Sequence, residues 1–183
     1  GYLYNNQITS CENAKENFEK LFEVEAADQF KFKQYIAKTP IIDDRVILNG
    51  NRLFFLEPLE ATAITAYLYW ARIVWDWIIE DTTTPTQITN TFHTYITQTK
   101  NFINWHYTYG SKYDTPFWKA AQKLKIEDPL FHSTLAYAKH SPMVELIDEG
   151  NHIGIGDKTY GSWDPFSFKY WYDGMTKEEN GSK

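Results

Sequence analysis

The chain has 183 residues, of which 43% are hydrophobic and 17% aromatic, with a net charge of −6. That length supports one domain with a real core, or half of a larger one, and so aromatic a chain is not disordered. The acidic balance excludes the basic footprint of a nucleic-acid binder. The single cysteine, Cys11, cannot form an internal disulfide, which fits a reducing, cytoplasmic setting.

No secretory signal pattern opens the chain. It starts at Gly1 rather than Met, which reads as a fragment or a processed chain. TSCE at residues 9–12 has capping-box spacing, and Ala14, Phe18, Leu21 and Phe22 follow at helical intervals, predicting a first helix over about 10–25. Residues 46–48 are largely β-branched and closed by Asn49-Gly50, which predicts a short buried strand ending in a turn. Residues 61–79 are apolar nearly all round, with Arg72 and Asp76 the only charges, and such a helix is expected inside a protein core. The two charges argue against a membrane span. DTTTP at 81–85 stops that helix and starts another, whose apolar period runs from Ile88 to about His106. A loop over 107–114 and short helices over 117–125 and 129–139 complete the readable part. Beyond Asn151, glycine and aromatics obscure any period, and 177–183 is expected to fray. The fold class expected is mainly α with a few short strands.

The densest chemistry lies in residues 50–64, GNRLFFLEPLEATAI. Pro58 has a fixed φ and no N–H, which suits entry into a helix. Glu60 then falls at or near the helix start, with Thr62 and Ala63 in the first turn. First-turn N–H groups have no partner inside the helix, and the dipole favours an anion there. On spacing alone, a carboxylate that merely caps a helix is the commoner case.

This stretch resembles the segment G-x-x-x-x-F-[LV]-E-P-L-E-[SA]-T of flavin-dependent halogenases of the tryptophan-halogenase family. Three further places are similar to that family in the right order: GYLY at 1–4, WHY at 105–107 with DTPFW at 114–118, and GSW at 161–163. EPLEAT and DTPFW are the specific signals. The family's G-x-G-x-x-G flavin cradle, catalytic lysine and W-x-W-x-I-P motif do not occur in this sequence. Trp75-Asp-Trp77 sits downstream of EPLEAT, and the glycines at 154 and 156 follow no strand. The chain thus resembles the C-terminal, substrate-side half of a halogenase. The complete enzyme would have two domains with a glutathione-reductase-like FAD fold. Residues 1–80 would return to the FAD-binding domain, and 81–183 would form a helical subdomain.

The resemblance implies halogenation of an indole-, phenol- or pyrrole-like ring using reduced FAD, O2 and chloride, bromide or iodide. It implies Glu60 as the catalytic group that orients the substrate and helps remove its proton. Thr62 and Ala63 would bind halide through their N–H groups. Gly50, Asn51 and Ile64 would flank the flavin. Ala63 stands where the family carries a chloride-binding glycine. The partners implied are the N-terminal FAD-binding half, a flavin reductase and a small aromatic substrate, with no nucleic acid or membrane and with homo-oligomerisation left open. The alternatives are a related FAD-dependent hydroxylase, or a non-catalytic binding module descended from a halogenase.

Other residues read more blandly. Glu57 is expected as a structural partner in the turn, Asp114 as a cap before Pro116, and Trp163 as core. Glu149 and His152 have i, i+3 spacing, but Gly150 disfavours a helix and no third ligand is evident, so no metal site is expected. His93, His106, His132 and His140 show no metal spacing, and Cys11 carries no nucleophile signature. The sequon at Asn180 would go unused in a reducing compartment.

Overall fold

A computed structural model describes residues 2–26, 28–57, 59, 62–110, 113–141 and 159–177. Helix α1 is Cys11–Phe22; four two-residue strands follow, β1 (Tyr35–Ile36), β2 (Ile41–Ile42), β3 (Val46–Ile47) and β4 (Phe54–Phe55). The rest is helical: α2 (Thr62–Ile78), α3 (Pro85–Tyr109), α4 (Pro116–Ala121), α5 (Pro129–His140) and α6 (Pro165–Lys177). The mainly helical expectation with a few short strands holds.

Helix starts share one device. Thr84, Thr115 and Asp128 each accept a backbone N–H of the first turn of α3, α4 and α5, and a proline follows each of them. Asp164 does the same for α6, accepting from Ser167 N at 2.7 Å ahead of Pro165. The proline gives up a donor that the first turn leaves unpaired anyway, while the side-chain oxygen satisfies another. In α1 the cap is Ser10 rather than Thr9, accepting from Asn13 N at 3.2 Å. That helix ends at Phe22, short of the expected 25, because Glu23 takes a left-handed φ of 53°.

α3 is the axis of the molecule. At 25 residues it spans roughly 37 Å. Ile88, Phe92, Ile96 and Ile103 pack with Leu53, Phe54, Leu56, Ala66 and Trp70 into a first core. Phe102 and Trp105 point to a second core with Phe131, Ala138, Tyr160 and Phe168. Thr99 is buried between them, and its hydroxyl is satisfied by donating to Tyr95 O at 3.0 Å.

The strands serve as a lid on the first core. β1 pairs antiparallel with β4 and β2 with β3. Asp43 and Asp44 both adopt positive φ, about 50°, which makes the tight β2–β3 turn; aspartate tolerates that region better than most residues. Side-chain bonds tie the strand region to helices: Trp70 Nε1 donates to Leu48 O at 3.0 Å, and His93 Nε2 meets Ala37 O at 2.9 Å.

Several expectations are corrected. The strand expected over 46–48 is not buried, since Val46 is 54% exposed on an outer hairpin. α2 is not buried all round. Ala66, Trp70 and Ile73 face the core, but Ile64, Leu68 (68% exposed), Trp75 and Ile78 form an exposed apolar stripe at helical spacing. α3 continues through Tyr109, so the loop expected over 107–114 starts later, at Gly110. α4 ends at Ala121 rather than 125. α6 was not foreseen. Residues 178–183, most of the segment expected to fray, lie outside the described residues.

Phe92 is fully buried, tilted against Phe54 at 6.0 Å and Trp70 at 4.9 Å. Phe92→Ala is expected to cost about 3–5 kcal/mol, as large aromatic truncations in cores do. Phe30→Ala, at an 81% exposed position, should stay within ~0.5 kcal/mol. Urea unfolding followed by circular dichroism checks both; equal losses would show that the core is not centred on Phe92.

Candidate functional site

The segment leading into α2 is built on one tight turn. Asn49 Oδ1 accepts from Gly50 N at 2.7 Å, and Leu53 N donates to Gly50 O at 2.9 Å. Gly50 has a φ of +56°, and a Cβ there would meet nothing within 4 Å. The glycine is therefore required by the backbone angle, not by crowding. Asn51 Oδ1 accepts from the Tyr67 hydroxyl at 3.3 Å, which links the turn to the first part of α2. Ile64 lies three residues before Tyr67, on a neighbouring part of that helix surface, and is exposed.

Glu60 falls outside the described residues, with Pro58 and Ala61. Thr62, the first residue of α2, is described and is only 6% exposed. Its Oγ1 is buried with no hydrogen-bond partner among the described residues. An unpartnered buried hydroxyl costs about 1–3 kcal/mol, so such a group ordinarily has a polar neighbour. Ala63 is half-buried and packs on the first core.

Upstream of that helix start, Glu57 faces a cleft of about 650 Å³. Tyr2, Leu3 and Tyr4 line one side of it; Glu57, Asn104, Tyr107 and Phe117 line another. The Tyr107 hydroxyl donates to the Glu57 carboxylate. Phe117 stands edge-on to the Tyr107 ring at 6.1 Å, and Trp118 lies nearly parallel to it at 6.0 Å. Burial raises the Glu57 pKa above the ordinary carboxylate range, against the pull of the Tyr107 hydrogen bond and of nearby His106. Burial, then the Glu57 carboxylate, pushes the Tyr107 phenol far up, so Tyr107 keeps its proton.

A second cleft, of about 690 Å³, opens between α2, α3 and residues 159–162. Tyr69 and Tyr95 stack at 4.1 Å along it, with Arg72, Thr94, Gln98 and Ser162 adding polar groups. Arg72 is already paired to Asp76 at 3.0 Å and to Glu80 at 3.6 Å.

The structure thus joins residues that the sequence leaves apart. Glu57, expected as a structural partner within its turn, instead reaches across 50 residues to Tyr107. Tyr107 and Asn104 were not foreseen as cleft residues. With α3 continued past His106, their three-residue spacing puts them on one helix face, the signal that could have found them. Asp114 is not the cap of α4; Thr115 is, accepting from Trp118 N at 3.4 Å, and Asp114 instead pairs with Lys119 at 2.6 Å in solvent. Trp163 is a core residue as expected, stacked on Phe102 at 3.9 Å. Glu149 and His152 lie outside the described residues, and no group of three potential metal ligands occurs among the described residues. No helix among them is long and apolar enough to cross a membrane.

Comparison with known proteins places these segments in one lineage. The sequence profile of the family described as tryptophan halogenase matches residues 1–171. The chain is 26% identical over 169 residues to tryptophan 7-halogenase KtzQ of Kutzneria sp. (strain 744), a match covering 84% of this chain and 30% of that protein. It is 30% identical over 105 residues to tryptophan 6-halogenase ThaL of Streptomyces albogriseolus, covering 55% of this chain and 20% of the relative. The chain therefore spans less than a third of the length of these relatives. No solved structure matches it.

The raised Glu57 pKa makes a signed prediction. An acid whose folded pKa lies above its unfolded value stabilises the fold most below the unfolded pKa and loses that contribution as pH rises through the folded one. The stability of wild type relative to Glu57→Gln should therefore decline from about pH 4 upward through the carboxylate range. Urea midpoints for the two proteins across that range test it; a difference that grows with pH would contradict the burial argument.

Proposed function

The chain belongs to the tryptophan halogenase family, and we propose that it forms the substrate-side portion of a flavin-dependent halogenase acting on an electron-rich aromatic ring. The observation that carries this is convergence. GYLY, EPLEAT, the WHY segment and DTPFW each contribute to the wall of the same cleft, through Tyr2 to Tyr4, Glu57, Tyr107 and Phe117. Aromatic walls of this kind suit a planar ring that stacks and meets ring edges. The names of the two relatives, a tryptophan 7-halogenase and a tryptophan 6-halogenase, support a ring of the indole, phenol or pyrrole type.

Glu60 would orient the ring beside this cleft and help take up its proton. Thr62 and Ala63 would hold chloride, bromide or iodide through first-turn N–H groups. The buried Thr62 hydroxyl, without a partner among the described residues, fits an anion at that helix start and favours a halogenase over a hydroxylase or a binding module. Gly50, Asn51 and Ile64 would flank the flavin. Among the described residues nothing stands within 4 Å of a Cβ on Gly50, and Ile64 is exposed, which suits a planar group beside the turn and the helix. FAD, when bound, supplies the oxygen-dependent redox chemistry; a flavin reductase would deliver it reduced. The exposed apolar stripe of α2 would be covered by an FAD-binding half, in a two-domain protein with a glutathione-reductase-like FAD fold.

Glu60→Gln in the complete protein is expected to lower turnover by about 100-fold or more while leaving ring binding largely intact, as for loss of a positioned acid–base group. Mass spectrometry of halogenated product measures this, and near wild-type turnover would reduce Glu60 to a helix cap. A second measurement addresses the anion. Crystals soaked in bromide should show anomalous density beside Thr62 and Ala63; sites elsewhere with none at that helix start would remove the halide assignment.

A further inference from the structure

We propose that Glu57 is a positioning residue that fixes the polarity of Tyr107, so that the aromatic cleft selects rings or side groups that donate a hydrogen bond. The inference rests on reading the cleft as the ring-binding site.

Tyr107 has one hydroxyl proton, and it is given to Glu57. An ionised carboxylate can only accept, so the pair has a single arrangement. The Tyr107 oxygen then has only lone pairs to offer the cleft that both residues line. A ligand N–H, O–H or ammonium in reach of that oxygen is satisfied. A ligand acceptor at the same place meets lone pairs and goes unpaired, which a half-buried site penalises. A free tyrosine hydroxyl would rotate and serve either kind of ligand, so the discrimination belongs to the pair rather than to Tyr107 alone.

The surroundings hold this arrangement. Tyr107 is fastened by the α3 backbone and by the Phe117 and Trp118 rings. Glu57 follows the buried Leu56, which continues β4, whose Phe54 and Phe55 are paired to β1. Neither group therefore depends on a surface side chain for its position. The recognition is chemical rather than steric: indoles, phenols and pyrroles carry the required donor, whereas benzofurans and N-alkylated indoles do not.

The test compares indole with 1-benzofuran, the same bicycle with its N–H replaced by oxygen, by titration calorimetry on the complete protein at pH 8. Wild type should bind indole about 3- to 10-fold more tightly, the worth of one partly buried hydrogen bond. Glu57→Met frees the Tyr107 hydroxyl at similar side-chain volume, and the preference should collapse to about twofold or less. In a Tyr107→Phe background the Glu57→Met change should leave the ratio of the two affinities unmoved. A purely structural Glu57 would weaken both ligands together and leave the ratio as in wild type, which overturns the proposal. Failure of both probes to bind wild type at millimolar concentration also overturns it. Should the donor preference hold while no halogenated product forms from any ring tested, the halogenase reading falls and the polarity of the cleft stands.

Discussion

Everything in this molecule hangs on the burial of α3 on two sides. A surface helix buries one stripe and leaves the rest to water. α3 instead gives Phe92, Ile96 and Ile103 to one core and Phe102 and Trp105 to another. The two sets interleave along its last turns, where Phe102 and Ile103 are adjacent in sequence and face opposite cores. Burying a large side chain contributes about 1.5–3 kcal/mol. The same few turns therefore couple the strand-and-α2 layer to the α5–α6 layer, and neither layer has an independent axis.

That constraint also explains where the cleft is. Trp105 is the last fully buried residue of α3, and beyond it Tyr107 packs on the edge of the first core with its ring on Phe117 and Trp118 and its hydroxyl on Glu57. The end of a rigid helix is a good place for a recognition group, because its position is set by the packing of the turn before it. Glu57, the first residue of EPLEAT, reaches the same place after β4 and the short turn at Gly50. Residues 50 positions apart thus become neighbours.

Much of this architecture was legible in the sequence because it is local. The apolar period of α3 and the cap-and-proline starts at Thr84 and Asp128 need no tertiary information. What escaped notice was of two kinds. β1, β2 and β4 are two residues long, below any period a sequence can display, and β1 meets its partner β4 only across the β2–β3 hairpin. α6 hid for a different reason: FSFKYWYDG mixes aromatics on all sides, so no stripe stands out, although Asp164-Pro165 repeats the start signal of α3 to α5. At the site, the family motif pointed to Glu60 and Thr62, but nothing local in YTYG marks Tyr107 as helical. The exposed stripe of α2 was also invisible, since apolar residues look alike in sequence whether or not they face a neighbour.

The turn over 159–163 has one more consequence. α3 holds it with residues spaced three apart: Tyr95 to Ser162, Gln98 to Gly161 N at 2.8 Å, and Asn101 to Tyr160 at 2.8 Å. Tyr160 in turn donates to Asp128 at 2.7 Å, the residue that also caps α5. α6 is therefore moored through this ladder and through Phe168 in the second core. A change at Asp128 thus reaches two elements at once, the start of α5 and the anchor of α6.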